Sequence, residues 1–196
     1  MKTTFNVLGV AGSIRNGSYS RLALQMALEH AKKHGAQVRL LELDNMPLFD
    51  PDASESKEVE QAGDAVAWAD AIILASPDYH GSMSGALKNF LDHFYREFAG
   101  KLFGYIVASH EKGLTVMDQM RTAIRQCYGW SLPYGVSVNA EEDFSDGKIV
   151  NAGLAKRLQM MSRDLVVYGT LIGSQFKRDL GSSEQYTFAA RYRRKQ

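Results

Sequence analysis

Cysteine is almost missing from this chain: Cys127 is the single one in 196 residues. An intramolecular disulfide and a cysteine-built metal cluster are both excluded, and the chain suits a reducing compartment. Charge of one sign is missing too. Lys+Arg 23 against Asp+Glu 22 leaves a net charge of +1, without the basic excess of a nucleic-acid binder. No apolar run approaches the roughly 18 residues of a membrane span. The apolar run that begins at Phe5 breaks at Gly9 and Gly12, too short for a signal-peptide core. The expectation is a cytoplasmic protein with neither a nucleic-acid nor a membrane partner.

What the chain does have is an ordinary globular composition, 45% hydrophobic and 23% charged. Its length suits one domain, or one domain with an appendage. Short apolar runs alternate with longer amphipathic stretches. Strands are expected at Phe5–Val10, Val38–Leu43, Ala71–Ala75, Phe103–Ser109 and Ser131–Val138. Helices are expected from Ser20 to Gly35, over Ser54–Trp68 with Ser54 as cap, and over Ser84–Tyr95, Leu114–Tyr128 and Asn151–Val167. Asn45–Asp52, with two prolines, and the acidic stretch Glu141–Gly147 read as loops. Five strand–helix pairs imply βαβ crossovers and a parallel sheet with helices on both faces. Residues 171–196 read as a tail of mixed character with a basic end, either a frayed terminus or a contact to a partner subunit.

In an open parallel sheet, ligands bind where loops leave the carboxyl ends of the strands. The first such loop reads Gly12-Ser13-Ile14-Arg15-Asn16-Gly17-Ser18-Tyr19-Ser20. It leads into a helix, whose first N–H groups are unpaired and attract an anion. Ser13, Ser18 and Ser20 offer hydroxyls, and Arg15 offers a planar fork that fits phosphate. The pattern is neither Gly-x-Gly-x-x-Gly nor a Walker loop; its many hydroxyls and one arginine suit a monophosphate. An ordinary capped Gly/Ser turn is the plain alternative.

Gly-Ser-Ile-Arg followed by Ser-x-Ser resembles the phosphate loop of the NAD(P)H-dependent FMN reductases, which include quinone, azo-dye and chromate reductases. The resemblance implies a flavodoxin-like, doubly wound five-stranded parallel sheet of order 2-1-3-4-5, filling residues 1–170. It also implies that Ser13, Arg15, Ser18 and Ser20 hold the FMN phosphate, with Tyr19 a further cofactor contact.

The second loop, Ser76-Pro77-Asp78-Tyr79-His80-Gly81-Ser82-Met83-Ser84-Gly85-Ala86-Leu87-Lys88-Asn89, resembles the family's flavin loop. Asp78 stands where the family has Glu, and His80 where it has Asn. The wording is most similar to the azobenzene-reductase branch. An isoalloxazine needs a flat apolar wall with backbone donors at its pyrimidine edge and N5. Pro77 and Tyr79 supply the wall, and Gly81 permits close approach. The resemblance places Pro77, Asp78, Tyr79, His80, Gly81 and Ser82 against the flavin. No residue is assigned a catalytic proton transfer, because the cofactor carries the chemistry; His80 is read as an exposed loop histidine.

The third loop, Ser109-His110-Glu111-Lys112-Gly113, keeps one glycine of a stretch that is glycine-rich in the family. Ser109, Lys112 and Gly113 are candidate flavin contacts, and Lys112 is equally a solvated surface lysine. Cys127 reads as a packed thiol, and no metal site is expected. The resemblance thus implies FMN as cofactor and NADPH or NADH as co-substrate. Hydride passes to the flavin and then to a small-molecule acceptor: a quinone, azo or nitro compound, chromate, ferric complex or free flavin. With no room for a separate nicotinamide domain, reductant and oxidant take turns in one pocket, giving ping-pong kinetics. A homodimer or homotetramer is expected. The rival is a flavodoxin-like electron carrier without NAD(P)H turnover. Near-neutral charge and the Gly-Ser-Ile-Arg loop oppose it, since flavodoxins are usually acidic, with Thr- and Gly-rich phosphate loops.

Overall fold

The computed structural model of the chain describes residues 4–54 and 56–193. Side chains alternate across a strand, and here both sides are apolar. In β3 (Ala71–Tyr79), Ala71, Ile73 and Ala75 enter one core cluster, and Ile72 and Leu74 enter another. β1 (Phe5–Ala11) divides likewise, with Val7 on the first side and Leu8 and Val10 on the second. Strands buried on both faces need helices on both faces. The first cluster is covered by α1 (Tyr19–Lys33) and α6 (Ala152–Gly181). The second is covered by α2 (Lys57–Trp68), α3 (Gly85–His93) and α4 (Leu114–Gln126). Small residues bring α1 close to the sheet: Ala23, Ala27 and Ala31 are buried, and a Cβ on Gly9 would meet Leu24 Cδ1 at 2.9 Å.

The sheet runs β2-β1-β3-β5-β6, where β2 is Ala36–Glu42, β5 is Leu102–Ala108 and β6 is Trp130–Ser131. These pairs are parallel, as in Val7↔Val38, Val7↔Ala71 and Ala71↔Leu102. The fold is α/β and flavodoxin-like. Counting only the parallel strands, with the fifth in two pieces, the order is the expected one. An additional strand, β4 (Ser82–Met83), pairs antiparallel with the end of β3.

Several boundaries differ from the sequence reading, each for a physical reason. The cap of α1 is Ser18, not Ser20. The cap of α2 is Ser56, whose hydroxyl accepts from the Val59 N–H at 3.3 Å, rather than Ser54; Glu55 lies outside the described residues. The fifth strand is split into β6 and β7 (Val136–Val138), both paired with β5. Pro133 lies between them and has no N–H for a ladder. The acidic stretch is not a loop. It forms α5 (Ala140–Asp143) and a hairpin of β8 (Phe144–Ser145) and β9 (Lys148–Ile149). Asp146 and Gly147 turn it with φ of 49° and 72°, the sign a two-residue hairpin turn requires.

The last helix does not end at Val167. Capped by Asn151, it runs to Gly181, so residue 170 falls inside it. Its far end packs beneath the sheet, and a short 3-10 turn at Phe188–Tyr192 folds back on it. The rings of Phe176 and Phe188 stack 5.3 Å apart, and Arg191 donates to the Tyr128 hydroxyl at 2.6 Å. The tail through Arg193 is therefore packed on its own chain. Arg194 and Lys195 lie outside the described residues.

The Lys101 ammonium is half-buried at this end of the sheet, where it donates to the Ala69 carbonyl. Burial lowers its pKa from 10.5 to about 8, against a partial opposing pull from Asp70. Between those values the unfolded chain holds a proton on this lysine that the folded chain has released, so this lysine's contribution to stability rises with pH across that window. The expected gain is on the order of 2 kcal/mol. It is read as the urea midpoint at pH 8 and pH 10, and Lys101→Met should lose it.

Candidate functional site

The loops after β1, β3 and β5 converge at the carboxyl end of the sheet around a cleft of about 890 Å3, within the roughly 300–1,000 Å3 of small-molecule sites. From the first loop, Ser13, Arg15, Ser18 and Tyr19 line it. The Ser18 hydroxyl makes no bond to the first turn of α1, and that turn holds no acid. The helix start thus keeps free N–H groups and positive potential for an anion. Ser20 does not line the cleft. It is buried, and its hydroxyl sits 2.9 Å from that of Ser18, which it orients. Tyr19 is held from behind by Phe144, with ring centroids 4.7 Å apart.

From the second loop, Pro77, Asp78, Tyr79 and Gly81 line the cleft, and Tyr79 offers a half-exposed ring. His80 and Ser82 do not. His80 and Gly81 form the turn between β3 and β4, with φ of 57° and 74°. The Ser82 hydroxyl instead faces α4, where Gln119 Nε2 lies 3.2 Å away. From the third loop, Ser109, His110, Glu111, Lys112 and Gly113 all contribute. Gly113 starts α4 at φ 60°, where a Cβ would strike Val107 Cγ1 at 2.5 Å.

Buried serines lock the first two loops together, which the sequence reading missed. The Ser84 hydroxyl donates to the Gly12 carbonyl and accepts from the Leu87 N–H at 3.1 Å. The Ser84 N–H reaches Ser76 Oγ at 3.0 Å, and the Gly12 N–H reaches the Ala75 carbonyl at 2.8 Å. Also unforeseen are the walls formed by Leu114, Thr115 and Ala140. Ala140 comes from the α5 region, whose turn signal, Asp146-Gly147, was legible. Asn89 is not in the cleft; it holds the proline loop through the Phe49 N–H and the Pro47 carbonyl, both at 2.8 Å. Burial first, then Glu97, pushes the Cys127 thiol up, consistent with a packed rather than reactive sulfur.

The family model described as "NADPH-dependent FMN reductase" matches residues 5–143. The chain belongs to that family. FMN reductases of this kind use FMN as cofactor and NAD(P)H as reductant, and the matched residues carry all three cleft loops. A curated relative, an NAD(P)H-dependent FMN reductase of Pseudomonas aeruginosa, is 34% identical over 116 residues, 56% of this chain. The alignment spans 62% of that reductase, less than two thirds of its length. The FMN-dependent NADPH-azoreductase of Staphylococcus aureus is 28% identical over 69% of this chain and 77% of its own. Among solved structures, a flavoenzyme NAD(P)H:(acceptor) oxidoreductase from Paracoccus denitrificans superposes with a TM-score of 0.75. It is 20% identical and covers 86% of this chain and 98% of its own; it shares the fold. No helix among the described residues is long and apolar enough to cross a membrane.

The donor set fits FMN. Hydroxyls, one guanidinium and a helix start with no acid in its own first turn suit the dianionic phosphate. The Pro77–Tyr79 wall and the polar third loop across the cleft suit a flat ring with a polar edge.

Proposed function

We propose that this chain binds FMN in the cleft and passes electrons from NAD(P)H to a small-molecule acceptor such as a quinone or an azo compound. The observation that carries this reading is the convergence of an anion-seeking helix start and a planar wall on one open cleft. Ser13, Arg15, Ser18 and the start of α1 hold the phosphate, with Tyr19 and Ser20 as supports. Pro77 and Tyr79 form a face for the ring, and Gly81, Ser109, Lys112 and Gly113 approach its polar edge. Bound FMN supplies hydride acceptance from NAD(P)H at N5 and return of the electrons to the acceptor. The protein binds and orients, and moves no proton of its own. The cleft is open, and reductant and oxidant occupy it in turn. The azoreductase likeness favours an aromatic acceptor. We also place the protein in the cytoplasm as a homodimer or homotetramer.

The test is anaerobic titration of the FMN-loaded protein with NADPH and, separately, NADH. The flavin absorbance should bleach within seconds to minutes and return on adding a quinone. A flavin that neither nucleotide reduces would instead mark an electron carrier.

A further inference from the structure

Resting on that reading, we propose that Asp78 is a positioning residue that clips the second cleft loop to the third and so sets the pocket that FMN enters. One carboxylate oxygen accepts from the Gly81 N–H at 2.8 Å, and the other accepts from the Ser109 hydroxyl at 2.9 Å. The same hydroxyl oxygen accepts from the Glu111 N–H at 3.1 Å. A single carboxylate therefore holds a backbone N–H of one wall and, through Ser109, the start of the opposite wall.

Both ends of the clip are anchored. The Ser109 N–H is bound to the Val138 carbonyl at 2.9 Å, which ties it to β7 at the sheet edge. The His80–Gly81 turn is gripped from its other side by Gln119 of α4. Gln119 Oε1 accepts from the Met83 N–H at 3.1 Å, and its Nε2 donates to the Gly81 carbonyl at 3.2 Å. His80 sits at φ 57°, a conformation a non-glycine residue keeps only when its surroundings impose it. Asp78 and Gln119 supply that imposition. An aspartate is short enough to close on an N–H three residues ahead and still present its second oxygen across the cleft. Bonds to an ionised acceptor are the strong kind, so the clip holds the cleft near the shape its cofactor needs, lowering the ordering cost of binding.

The test measures FMN affinity by fluorescence titration of the apoprotein for wild type, Asp78→Ala, Ser109→Ala, the double variant and Ser109→Thr. Each single alanine variant should bind FMN about tenfold more weakly, the scale of a lost charge-assisted bond. The double variant should lose less than the sum of the two single losses, because both cut the shared Asp78–Ser109 bond, while each also loses a bond of its own to Gly81 or Glu111. Ser109→Thr retains the hydroxyl and should bind like wild type. Apoprotein melting should stay within a few degrees of wild type, which separates a clip from a general fold defect. Wild-type affinity in Asp78→Ala, or losses that add in the double variant, would overturn the clip alone. Failure of the wild-type protein to bind FMN would overturn the proposed function and the clip with it.

Discussion

Gly12→Ala should abolish FMN binding at micromolar cofactor and lower the stability of the apoprotein as well. The new methyl would stand 2.6 Å from the Ala75 carbonyl oxygen and 2.9 Å from Leu87 Cβ. Neither atom can swing aside: the first is backbone of the central strand, and the second is fixed at the base of a fully buried side chain. Relief must come from moving the loop, which breaks the Gly12–Ala75 hydrogen bond and the Ser84 contact with it. Overpacking of this kind costs roughly 1–3 kcal/mol, and the lost buried bonds add about 1 kcal/mol each. The larger effect falls on the ligand, because the displaced segment carries Ser13, Arg15 and the entry to α1. Fluorescence titration and thermal melting check both parts. Retention of wild-type FMN affinity would show that this loop does not hold the phosphate.

Gly100→Val tests the opposite end of the molecule and should separate stability from binding. Gly100 has φ +75°, and a Cβ there would lie 2.2 Å from Phe176 Cδ1. A β-branched residue in that backbone region is strained by itself, at roughly 1–2 kcal/mol. The clash would also drive Phe176 out of its stack with Phe188. Together the loss should reach about 3–5 kcal/mol, or roughly 10 °C in melting temperature for a chain of this size. FMN affinity of the protein that remains folded should not change, since residue 100 precedes β5 at the end of the sheet away from the cleft. An unchanged melting temperature would show that the C-terminal end of α6 is not docked as described.

The alternation of apolar runs with amphipathic stretches was enough for the fold, because strands buried on both faces and helices with one apolar face leave few arrangements. Elements failed where local signals are ambiguous. Ser18 and Ser20 are equally good caps by type, and only the backbone at residue 18 decides between them. The fifth strand was expected unbroken over Ser131–Val138, and the structure breaks it at Pro133. The last helix was expected to end at Val167, just before Gly169. Yet Gly169 packs tightly on Phe5, where a Cβ would lie 2.6 Å from Cζ, so tertiary contact outweighs the roughly 1 kcal/mol cost of glycine in a helix.

The candidate site divides in the same way. Ser13, Arg15, Ser18, Pro77 and Tyr79 were legible because each sits in a contiguous loop with a chemical character of its own. Ser76, Ser84, Gln119 and Phe144 were not. Their effect lies in bonds and contacts to residues 8 to 125 positions away, such as Ser84 to Gly12 and Phe144 to Tyr19. By itself, then, the sequence determined the class of fold and the chemistry that each loop presents, since both follow from local pattern and residue type. Only the tertiary structure decided how those loops are held against one another. That depends on which buried hydroxyls, carboxylates and rings meet across the chain, and no local pattern records such meetings.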